Sequence, residues 1–529
     1  MPAPSVLFYG ALTFLLGVLL ASLGLTYQVL LIVAALAAVL LIVGFFAPRF
    51  ISVLAPQGET SGILEVSPWG AMRRRCFVLA ALAPLIIAGS VYYHFDDMRF
   101  RASAVSLGTQ TLRGVVVNDP VLRDGYRSAF IRLDPPAHGA AAGRARPNDP
   151  ARTALSGWRP VGRVIANLPP YPAVRYGDEV SLAGVVKQPE PEGYARYLAK
   201  ERVSGVMNRP TVTVVARGQG SPIQSALFSL KHAVTGVFAR VLPAEDASFL
   251  SGLTVGERGA FSDELKNSMQ RSGTTHLVAL SGYNITILGE AVMGAALWLI
   301  SRRRRAAFLV TLAVILGFVC MAGAEASVVR AAIMGSLALA AKETGRLFDV
   351  RQAVVLAGLA MVLVNPKVLA FDVGFQLSFV ALLGIVYLEP VLRRFTASRG
   401  NKGFLDWRTT LSTTAAAQLA VAPILIAQFG MVSVTSLAAN LLILAAVPIT
   451  MGVGFLTAAV GAASILLAQV VGLVAWALTQ YELGVIRLFS LISVPVAPAI
   501  SWAGAFAYYA VLIGFVVWMT RTHLKNAHT

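Results

Sequence analysis

Six histidines, at positions 94, 138, 232, 276, 523 and 528, are the side chains best suited to hold a metal or to move protons near neutral pH. Zinc sites draw on closely spaced His, Cys and carboxylate side chains. These histidines are scattered without any His-x-His-x-Asp-His cluster, and the two cysteines, Cys76 and Cys320, are far apart in the sequence. We therefore expect no metal, no cofactor and no catalytic residue. A metal-dependent nuclease that binds its metal through a His-x-His-x-Asp-His cluster is excluded.

A stretch near the middle of the chain combines polar residues with helix-breaking glycines where a long apolar region begins. It reads Leu253-Thr-Val-Gly-Glu-Arg-Gly259, then Phe261-Ser-Asp-Glu-Leu265, then Ser272 through Ile285. Irregular backbone at membrane depth is tolerated only where protein buries it or water reaches it. His276 is therefore either a pore-mouth contact or a helix-start histidine bonded to nearby backbone. Ser281 and Gly282 either form a close helix crossing or kink, or touch a substrate.

Arg330 lies inside an apolar segment that begins at Ala326. A bilayer makes a charged side chain there costly. Arg330 therefore either binds a phosphate-like anion or pairs internally with Asp372 or Glu325. The internal pair is favoured, because an unpaired intramembrane arginine is expensive.

Other polar side chains recur in the apolar segments of the C-terminal half. Asp372 and Gln376 are four residues apart, so they share a face of their predicted helix. Gln418 and Asn440 lie in two further segments. Together the four line a polar path, whereas each alone is typical of hydrogen bonding between membrane helices.

These motifs resemble the ComEC family, bacterial inner-membrane channels that admit transforming DNA as a single strand. The family pattern reads approximately G-L-T-x-G-x-x-x-x-x-S, then S-G-x-x-H-L-L-A-I-S-G-x-H-I. The matching positions are Leu253, Thr254, Gly256, Ser262, Gly273, His276, Leu277, Ala279, Ser281, Gly282 and Ile285. Later matches are Ser327 to Met334, Gly374 to Phe379, Gln418 to Pro423, Phe429-Gly430, Asn440 to Leu442 and Pro448. Leu168 to Asp178 looks like the family's external domain, so the resemblance covers nearly the whole chain.

The resemblance implies translocation of single-stranded DNA across the cytoplasmic membrane during natural transformation. It implies a route lined by His276, Ser281, Gly282, Asn284, Arg330, Asp372, Gln376, Gln418 and Asn440. It also implies contact with membrane lipids, a periplasmic DNA receptor and a cytoplasmic ATP-driven translocase, since the sequence has no Walker-type ATP motif.

Two departures from the family pattern matter. Asn284 stands where the family has a second histidine, and an amide does not titrate near neutral pH. The sequence also shows no metallo-β-lactamase-like nuclease domain after the last apolar segment, so a form lacking that domain is expected.

The elements that must position these residues are mostly membrane helices. The 529 residues are 56% hydrophobic and only 13% charged, whereas an average soluble domain is roughly 25% charged. Apolar runs of about 18 residues or more predict a polytopic α-helical protein of about 10 to 12 spans. We expect three transmembrane helices in 1–94, interfacial helices in 222–272 and the competence-type bundle in 273–529. The arginines at 73–75 stay in the cytoplasm, which places the intervening domain outside a bacterial inner membrane.

That domain, residues 95–221, carries 18 Lys or Arg against 11 Asp or Glu. Strands are predicted at 112–117, 128–133, 162–168, 179–186 and 211–215, which favours an all-β, OB-like extracytoplasmic domain with a long loop at 135–160. OB-like folds bind single strands by charge and aromatic stacking. Trp158, Tyr171 and Tyr176 are the predicted DNA-stacking residues.

The segment after this domain has apolar residues on one helical face: Ile223, Leu227, Leu230, Val234 and Phe238. The pattern predicts either an amphipathic helix in the membrane interface or an ordinary helix packed on the bundle.

Two other functions stay open. A carrier for a small solute or a lipid-linked precursor would use the same polar path around a closed central site. A membrane-embedded enzyme would use His276, Glu290 or Asp372 in acid-base chemistry, although no spacing supplies a nucleophile or a metal. No oligomeric state follows from the sequence.

Overall fold

The computed structural model describes residues 3–24, 32, 68–123, 125–134, 162–278, 282–300, 303–396, 407–430, 432–433, 435–493, 495–496 and 502–526. Helices α1 (Ala3–Ser22) and α2 (Pro68–Ala102) pack closely against each other. Gly17 of α1 lies against the backbone of Ile86, so any side chain there would collide with α2. The second predicted N-terminal helix, the loop at 135–160, Trp158 and Ser281 lie outside the described residues.

The inserted domain is a small barrel-like sheet. Its strands are β1 (Gly108–Val116), β2 (Val121–Arg123), β3 (Tyr126–Leu133), β4 (Arg163–Leu168), β5 (Glu179–Lys187), β6 (Val203–Asn208) and β7 (Thr211–Ala216). Five of them close a circuit in the order β1-β3-β4-β6-β5 and back to β1, while β2 adds to β3 and β7 adds to β5. The β4–β6 pair is parallel and the other pairs are antiparallel. Apolar side chains fill the interior, Val116, Ile131, Leu168, Leu182 and Met207 among them.

The predicted β domain is confirmed, but two details of the prediction are wrong. Four of the five predicted strands belong to the closed circuit, whereas the fifth, at 211–215, is the added strand β7. The circuit is completed by β6, which the sequence pattern missed. The domain is not all-β either, since helix α3 (Glu192–Lys200) connects β5 to β6. An acidic first turn, a basic last turn and the buried Leu198 favour that helix.

Helices account for most of the rest of the described chain. In order they are α4 (Pro222–Val241), α5 (Ala244–Val255), α6 (Asp263–Ser272), α7 (Thr275–Val278), α8 (Gly282–Leu299), α9 (Arg304–Met321), α10 (Ala326–Thr344), α11 (Val350–Val364), α12 (Val368–Phe371), α13 (Val373–Tyr387), α14 (Glu389–Thr396), α15 (Trp407–Phe429), α16 (Ser436–Ile443), α17 (Val447–Ala463), α18 (Ile465–Ile492) and α19 (Trp502–Asn526). Two short strands, β8 (Val432–Ser433) and β9 (Pro495–Val496), pair with each other.

The helices that are long and apolar enough to cross a membrane number five in the described part of the chain. A sixth results if α16 and α17, bent by 49° at their junction, count as one broken span. The predicted 10 to 12 spans are therefore not confirmed. Pro448, at the start of α17, has no N–H to continue a helix and accounts for the break between α16 and α17.

Helix α4 packs on the bundle and is not of membrane-spanning character. Its buried side chains are Phe228, Lys231, Val237 and Phe238, while Ile223 and Leu230 of the predicted apolar face are exposed. Val237 and Val241 fill the space beside Gly461 and Gly472 on α17 and α18. The second of the two predicted alternatives, a helix packed on the bundle, describes α4.

Candidate functional site at the barrel–bundle junction

The loop that follows α5 holds the first part of the sequence motif, and we call residues Gly256–Gly259 the motif loop. Gly256 ends α5 with φ +74°, and Gly273 ends α6 with φ +71°. This left-handed conformation favours glycine. A Cβ on Gly273 would also collide with Ser436 of α16. Both motif glycines are thus required by backbone geometry and close packing.

A cluster of four charged or titratable side chains joins the motif loop to the barrel and to α4. We call Asp119, Lys231, His232 and Glu257 the Lys231 cluster. The Lys231 Nζ donates to Asp119 Oδ2 at 3.1 Å and to Glu257 Oε2 at 2.5 Å. The His232 Nε2 lies 3.1 Å from the same Asp119 oxygen. Lys231 is buried, so this cation is matched by two carboxylates in a place that water barely reaches.

The ionisation of the Lys231 cluster follows from these contacts. Burial favours the neutral form of Lys231, but the two carboxylates outweigh it and raise the pKa of the amine. Burial likewise disfavours the Asp119 carboxylate, yet hydrogen bonding from His232 and the charge of Lys231 lower its pKa. The hydrogen bond to Asp119 raises the pKa of His232 above 6.5. These contacts favour the charged forms of Lys231, Asp119 and His232.

The motif loop also binds directly to the barrel and to two helices. A Cβ on Gly259 would lie 2.9 Å from Val121 Cγ1 and 3.2 Å from the carbonyl oxygen of Leu122, so β2 covers this glycine. Arg258 donates to the carbonyl of Val278 at 3.1 Å and to Glu325 Oε2 at 2.7 Å. Because Glu325 is the residue that precedes α10, the motif loop links the barrel, α7 and α10.

A second set of ion pairs attaches α3 and α2 to the bundle. Lys200, at the end of α3, lies 2.9 Å from Asp372 Oδ2 and 3.0 Å from Glu201 Oε1. We call Lys200, Glu201 and Asp372 the Lys200 cluster. Lys367 is 1% exposed and donates to Asp97 of α2 at 2.7 Å. The barrel domain is therefore attached to the rest of the chain at two separate points, the Lys231 cluster and the Lys200 cluster.

Arg330 of α10 lies in the bundle beside the start of α8. Its Nη1 donates to the carbonyl oxygen of Ser378 at 3.0 Å, and its guanidinium lies 5.9 Å from the centre of the Phe379 ring. A Cβ on Gly282 would lie 3.4 Å from Arg330 Nη2. Its buried Nε has no hydrogen-bond partner in the part of the chain that the structure describes.

The predicted internal ion pair of Arg330 is wrong. Of the two acids proposed for it, Asp372 pairs with Lys200 and Glu325 pairs with Arg258. Within the described ranges, no carboxylate lies within ion-pair distance of Arg330. Asn284 and Arg330 both lie near Gly282, but they make different contacts. Asn284 is buried and donates to the Leu253 carbonyl at 3.3 Å.

The other predicted route residues do not gather at one point. Asp372 caps α13 by accepting from the Phe375 N–H at 3.1 Å. Gln376 donates back to the carbonyls of Leu369 and Ala370 at 3.3 and 2.8 Å. His276 is exposed on the one-turn helix α7, and Gln418 is half-buried on α15. Asn440 is buried on α16 with its Oδ1 unpartnered.

Two buried carboxyl groups, which the sequence reasoning passed over, form an interior seam where α18 meets α5 and α17. Asp246 accepts from Thr479 at 2.7 Å and from Gln480 at 2.9 and 3.0 Å. Glu482 Oε1 accepts from Thr450 at 2.7 Å, and its Oε2 is buried without a partner. Neither carboxyl has an ion-pair partner in the part of the chain that the structure describes. A carboxyl inside a 28-residue apolar run was an available signal for Glu482.

The predicted stacking tyrosines occupy different environments. Tyr171 is 84% exposed in the connection between β4 and β5. The hydroxyl of Tyr176 donates to Gln224 at 2.9 Å and accepts from the Ser221 N–H at 3.0 Å. Its ring packs edge-on against Phe228 with centroids 5.1 Å apart. Tyr176 therefore connects the barrel to α4 in this structure, and its role in binding DNA stays a prediction.

The sequence did not reveal most of the residues that join the barrel to the bundle. Lys231 and Lys367 looked like ordinary charged positions, because nothing in a single sequence shows which distant carboxylates they meet. Among the described residues, no group of three His, Cys, Asp or Glu side chains is placed to hold a metal ion.

The fold and the junction define a polytopic membrane protein with an inserted barrel-like domain. Residues 253–522, a little over half of the chain, match the Competence protein family, and the chain belongs to this family of ComEC type. It is similar to ComE operon protein 3 of Bacillus subtilis (strain 168), with 27% identity over 272 residues. That alignment covers 50% of this chain and 34% of the relative, so the chain matches about a third of the relative's length. No solved structure matches the chain.

Proposed function

We propose that this protein takes part in DNA uptake during competence and carries single-stranded DNA across the cytoplasmic membrane. Membership of the Competence protein family and the similarity to ComE operon protein 3 support a role in competence. The proposal places the barrel domain outside the membrane. An external DNA receptor and a cytoplasmic ATP-driven translocase belong to the proposal as partners.

The observation that carries the proposal is the charge of Arg330. An arginine inside a membrane bundle is costly and is normally compensated by an acid. Among the described residues, Arg330 contacts one backbone carbonyl and one aromatic ring, and its Nε has no hydrogen-bond partner. A passing phosphodiester is the anion that a guanidinium binds best, by two parallel hydrogen bonds.

The position of Arg330 fits a route that starts at the junction. Arg330 is five residues beyond Glu325, which is about 7.5 Å along a helix. Glu325 is held by the motif loop, directly under the barrel. A strand that leaves the barrel near this loop would therefore meet the Arg330 cation within the first turns of α10.

The barrel adds two further points of support. Its five-strand circuit with one parallel pair is compatible with an OB-like fold, and OB-like folds commonly bind oligonucleotides. Residues 95–221 carry 18 basic against 11 acidic side chains, and a basic excess attracts a phosphate backbone.

The test is entry of labelled DNA into the cytoplasm of cells that carry only a variant copy. Arg330→Gln is expected to lower entry by about 10-fold or more, since a lost charged contact of about 1.4 kcal/mol gives that factor. Arg330→Lys keeps the charge but cannot form two parallel hydrogen bonds. Its DNA entry is expected to lie between that of the unaltered chain and that of Arg330→Gln. Arg351→Gln is the matched control, because Arg351 is an exposed arginine that lies over the Tyr387 ring.

Normal entry with Arg330→Gln, at an unchanged amount of protein in the membrane, would contradict the proposal. Equal losses for the Arg330 and Arg351 variants would also count against it, because they would show a general effect of lost surface charge.

A further inference from the structure

Two tyrosines on α3 present nearly parallel rings to the outside of the barrel. Tyr194 and Tyr197 are one turn apart, with ring centroids separated by 6.4 Å and planes inclined by only 16°. Their exposures are 38% and 44%. The separation is about twice the rise of ~3.4 Å per base in a stacked strand. The distance and the angle between the two rings are thus suited to stacking with flat aromatic groups.

The helix that carries this pair is firmly placed. Leu198, the residue after Tyr197, is fully buried among Ile165, Val203 and Val206 of the barrel. At its end Lys200 is held by Asp372, and the carbonyl of Lys200 accepts from Asn365 at 2.8 Å. The rings therefore project from a backbone that is fixed to both barrel and bundle. Fixed aromatic side chains bind flat ligands with little loss of entropy.

The pair lies between the two attachment points of the barrel. The Lys200 amine is 4.6 Å from the centre of the Tyr197 ring. The Tyr197 hydroxyl is within electrostatic range of Asp372 and Glu325, which belong to the two attachments. Tyr194 is within range of Arg123 and Tyr126, where β2 turns into β3. The rings therefore border the region through which the barrel faces the bundle.

The charges around the rings favour an anionic chain with flat side groups. The nearby acids are already matched: Glu192 by Arg196, Glu201 and Asp372 by Lys200, and Glu325 by Arg258. Arg123 is exposed and has no acid in ion-pair distance within the described ranges. An aromatic surface next to an available guanidinium is the combination that proteins use for single strands, where bases stack and phosphates meet cations.

We propose that Tyr194 and Tyr197 form a stacking site for unpaired nucleobases at the entrance to the bundle, with Arg123 contacting the adjacent phosphate. The site rests on the proposed function, and it names the substrate class as a strand without base pairs. It differs from the surface predicted from the sequence. Tyr171 belongs to the β4–β5 connection, and Tyr176 packs against Phe228 and hydrogen-bonds to Gln224.

The experiment measures binding of a fluorescent single-stranded oligonucleotide to the purified full-length chain in lipid nanodiscs. The double variant Tyr194→Ala with Tyr197→Ala is expected to weaken binding by about 5- to 100-fold, the range for the loss of one stacked base. The double phenylalanine variant keeps both rings and is expected to bind as the unaltered chain does. Tyr171→Ala, which removes a more exposed tyrosine, is the matched control and is expected to have little effect.

A strand of the same length without bases supplies the second arm. It is expected to bind the unaltered chain and the double alanine variant equally, because no base is present to stack. Unchanged binding of the normal strand to the double alanine variant would overturn the site, as would an equal loss with the base-free strand. A loss in Tyr171→Ala alone would place stacking on the β4–β5 connection instead. These results are separate from the Arg330 uptake test, so the site can fail while the proposed function stands.

Discussion

The barrel–bundle junction and the interior seam both bury charged or ionisable side chains, but they compensate them differently. At the junction, Lys231 meets two carboxylates and Lys367 meets Asp97. In the seam, Asp246 and Glu482 meet only hydroxyl and amide groups. Opposite charges that are buried together depend on one another, because removal of one leaves the other uncompensated. Removal of a carboxyl that has only neutral partners leaves no uncompensated charge.

The largest effect is expected for Lys231→Met, which leaves Glu257 without its cation and Asp119 with only the exposed His232. We expect the free energy of unfolding to fall by about 3–5 kcal/mol. The measurement is reversible denaturant unfolding of the purified protein in detergent. Arg101→Met is the control, because the Arg101 side chain is exposed and its partner Asp97 keeps Lys367. A loss of about 1 kcal/mol or less is expected there.

A triple variant sharpens this prediction. Adding Asp119→Asn and Glu257→Gln to Lys231→Met removes both carboxylates that bound the lysine, and it is expected to recover part of the loss. A single Lys231→Met that is as stable as the Arg101 control would show that the Lys231 cluster contributes little to attachment of the barrel.

Smaller losses of stability are expected in the interior seam, and they are expected to differ between its two carboxyl groups. Glu482→Gln replaces a carboxyl that has one neutral hydrogen bond by an amide of the same shape, and the loss is expected to stay within about 1 kcal/mol. Asp246→Asn places an amide nitrogen against the Gln480 donor and is expected to cost about 1–3 kcal/mol. Denaturant unfolding distinguishes the two. A larger loss for Glu482→Gln than for Asp246→Asn would mean that the unpartnered oxygen of Glu482 has an essential contact.

The smallest effect is a pH dependence at the junction. Since the bond to Asp119 raises the pKa of His232 above its unfolded value of 6.5, protonated His232 stabilises the folded protein. This contribution is complete below pH 6.5 and disappears as the pH rises through the higher folded pKa. Asp119 and Lys231 keep their charges in this interval, because the pKa of the carboxyl is lowered and the pKa of the amine is raised. The exposed position of His232 limits the effect to below about 1 kcal/mol.

The measurement for His232 compares thermal unfolding at mildly acidic and alkaline pH in the unaltered chain and in His232→Gln. The unaltered chain is expected to lose stability toward alkaline pH more steeply than the variant. Identical pH profiles would contradict a role for protonated His232 in the Lys231 cluster.

The helices and most strands were predictable because they rest on local patterns. Long apolar runs became helices such as α18, and alternation located β1, β3, β4 and β5. Strand β6 was missed because its burial does not alternate: Gly205, Val206 and Met207 are all buried in succession. Its pairing with both β4 and β5 explains this, since each contact comes from a distant part of the sequence.

The ion pairs were not predictable, because proximity in three dimensions decides them. Arg330 was expected to pair with one of two acids within reach of its own segment, yet Lys200 and Arg258 hold those acids. On α4, Phe238 of the predicted apolar face is buried, whereas Ile223 and Leu230 are exposed. Phe228 and Lys231, which lie outside that face, are buried as well. A lysine at i+3 from a buried phenylalanine is a signal only once a partner such as Asp119 is known.

The length of α2 has a mechanical consequence. The helix has 35 residues, about 52 Å at 1.5 Å per residue, whereas the hydrocarbon core is about 30 Å thick. Its last turns carry Asp96 and Asp97, which are tied to Arg202 of the barrel domain and to the buried Lys367 of the bundle. The helix is thus longer than a membrane crossing needs, and its last turns hold the barrel domain and the bundle at one place, so a rotation of one against the other would break at least one of these ion pairs.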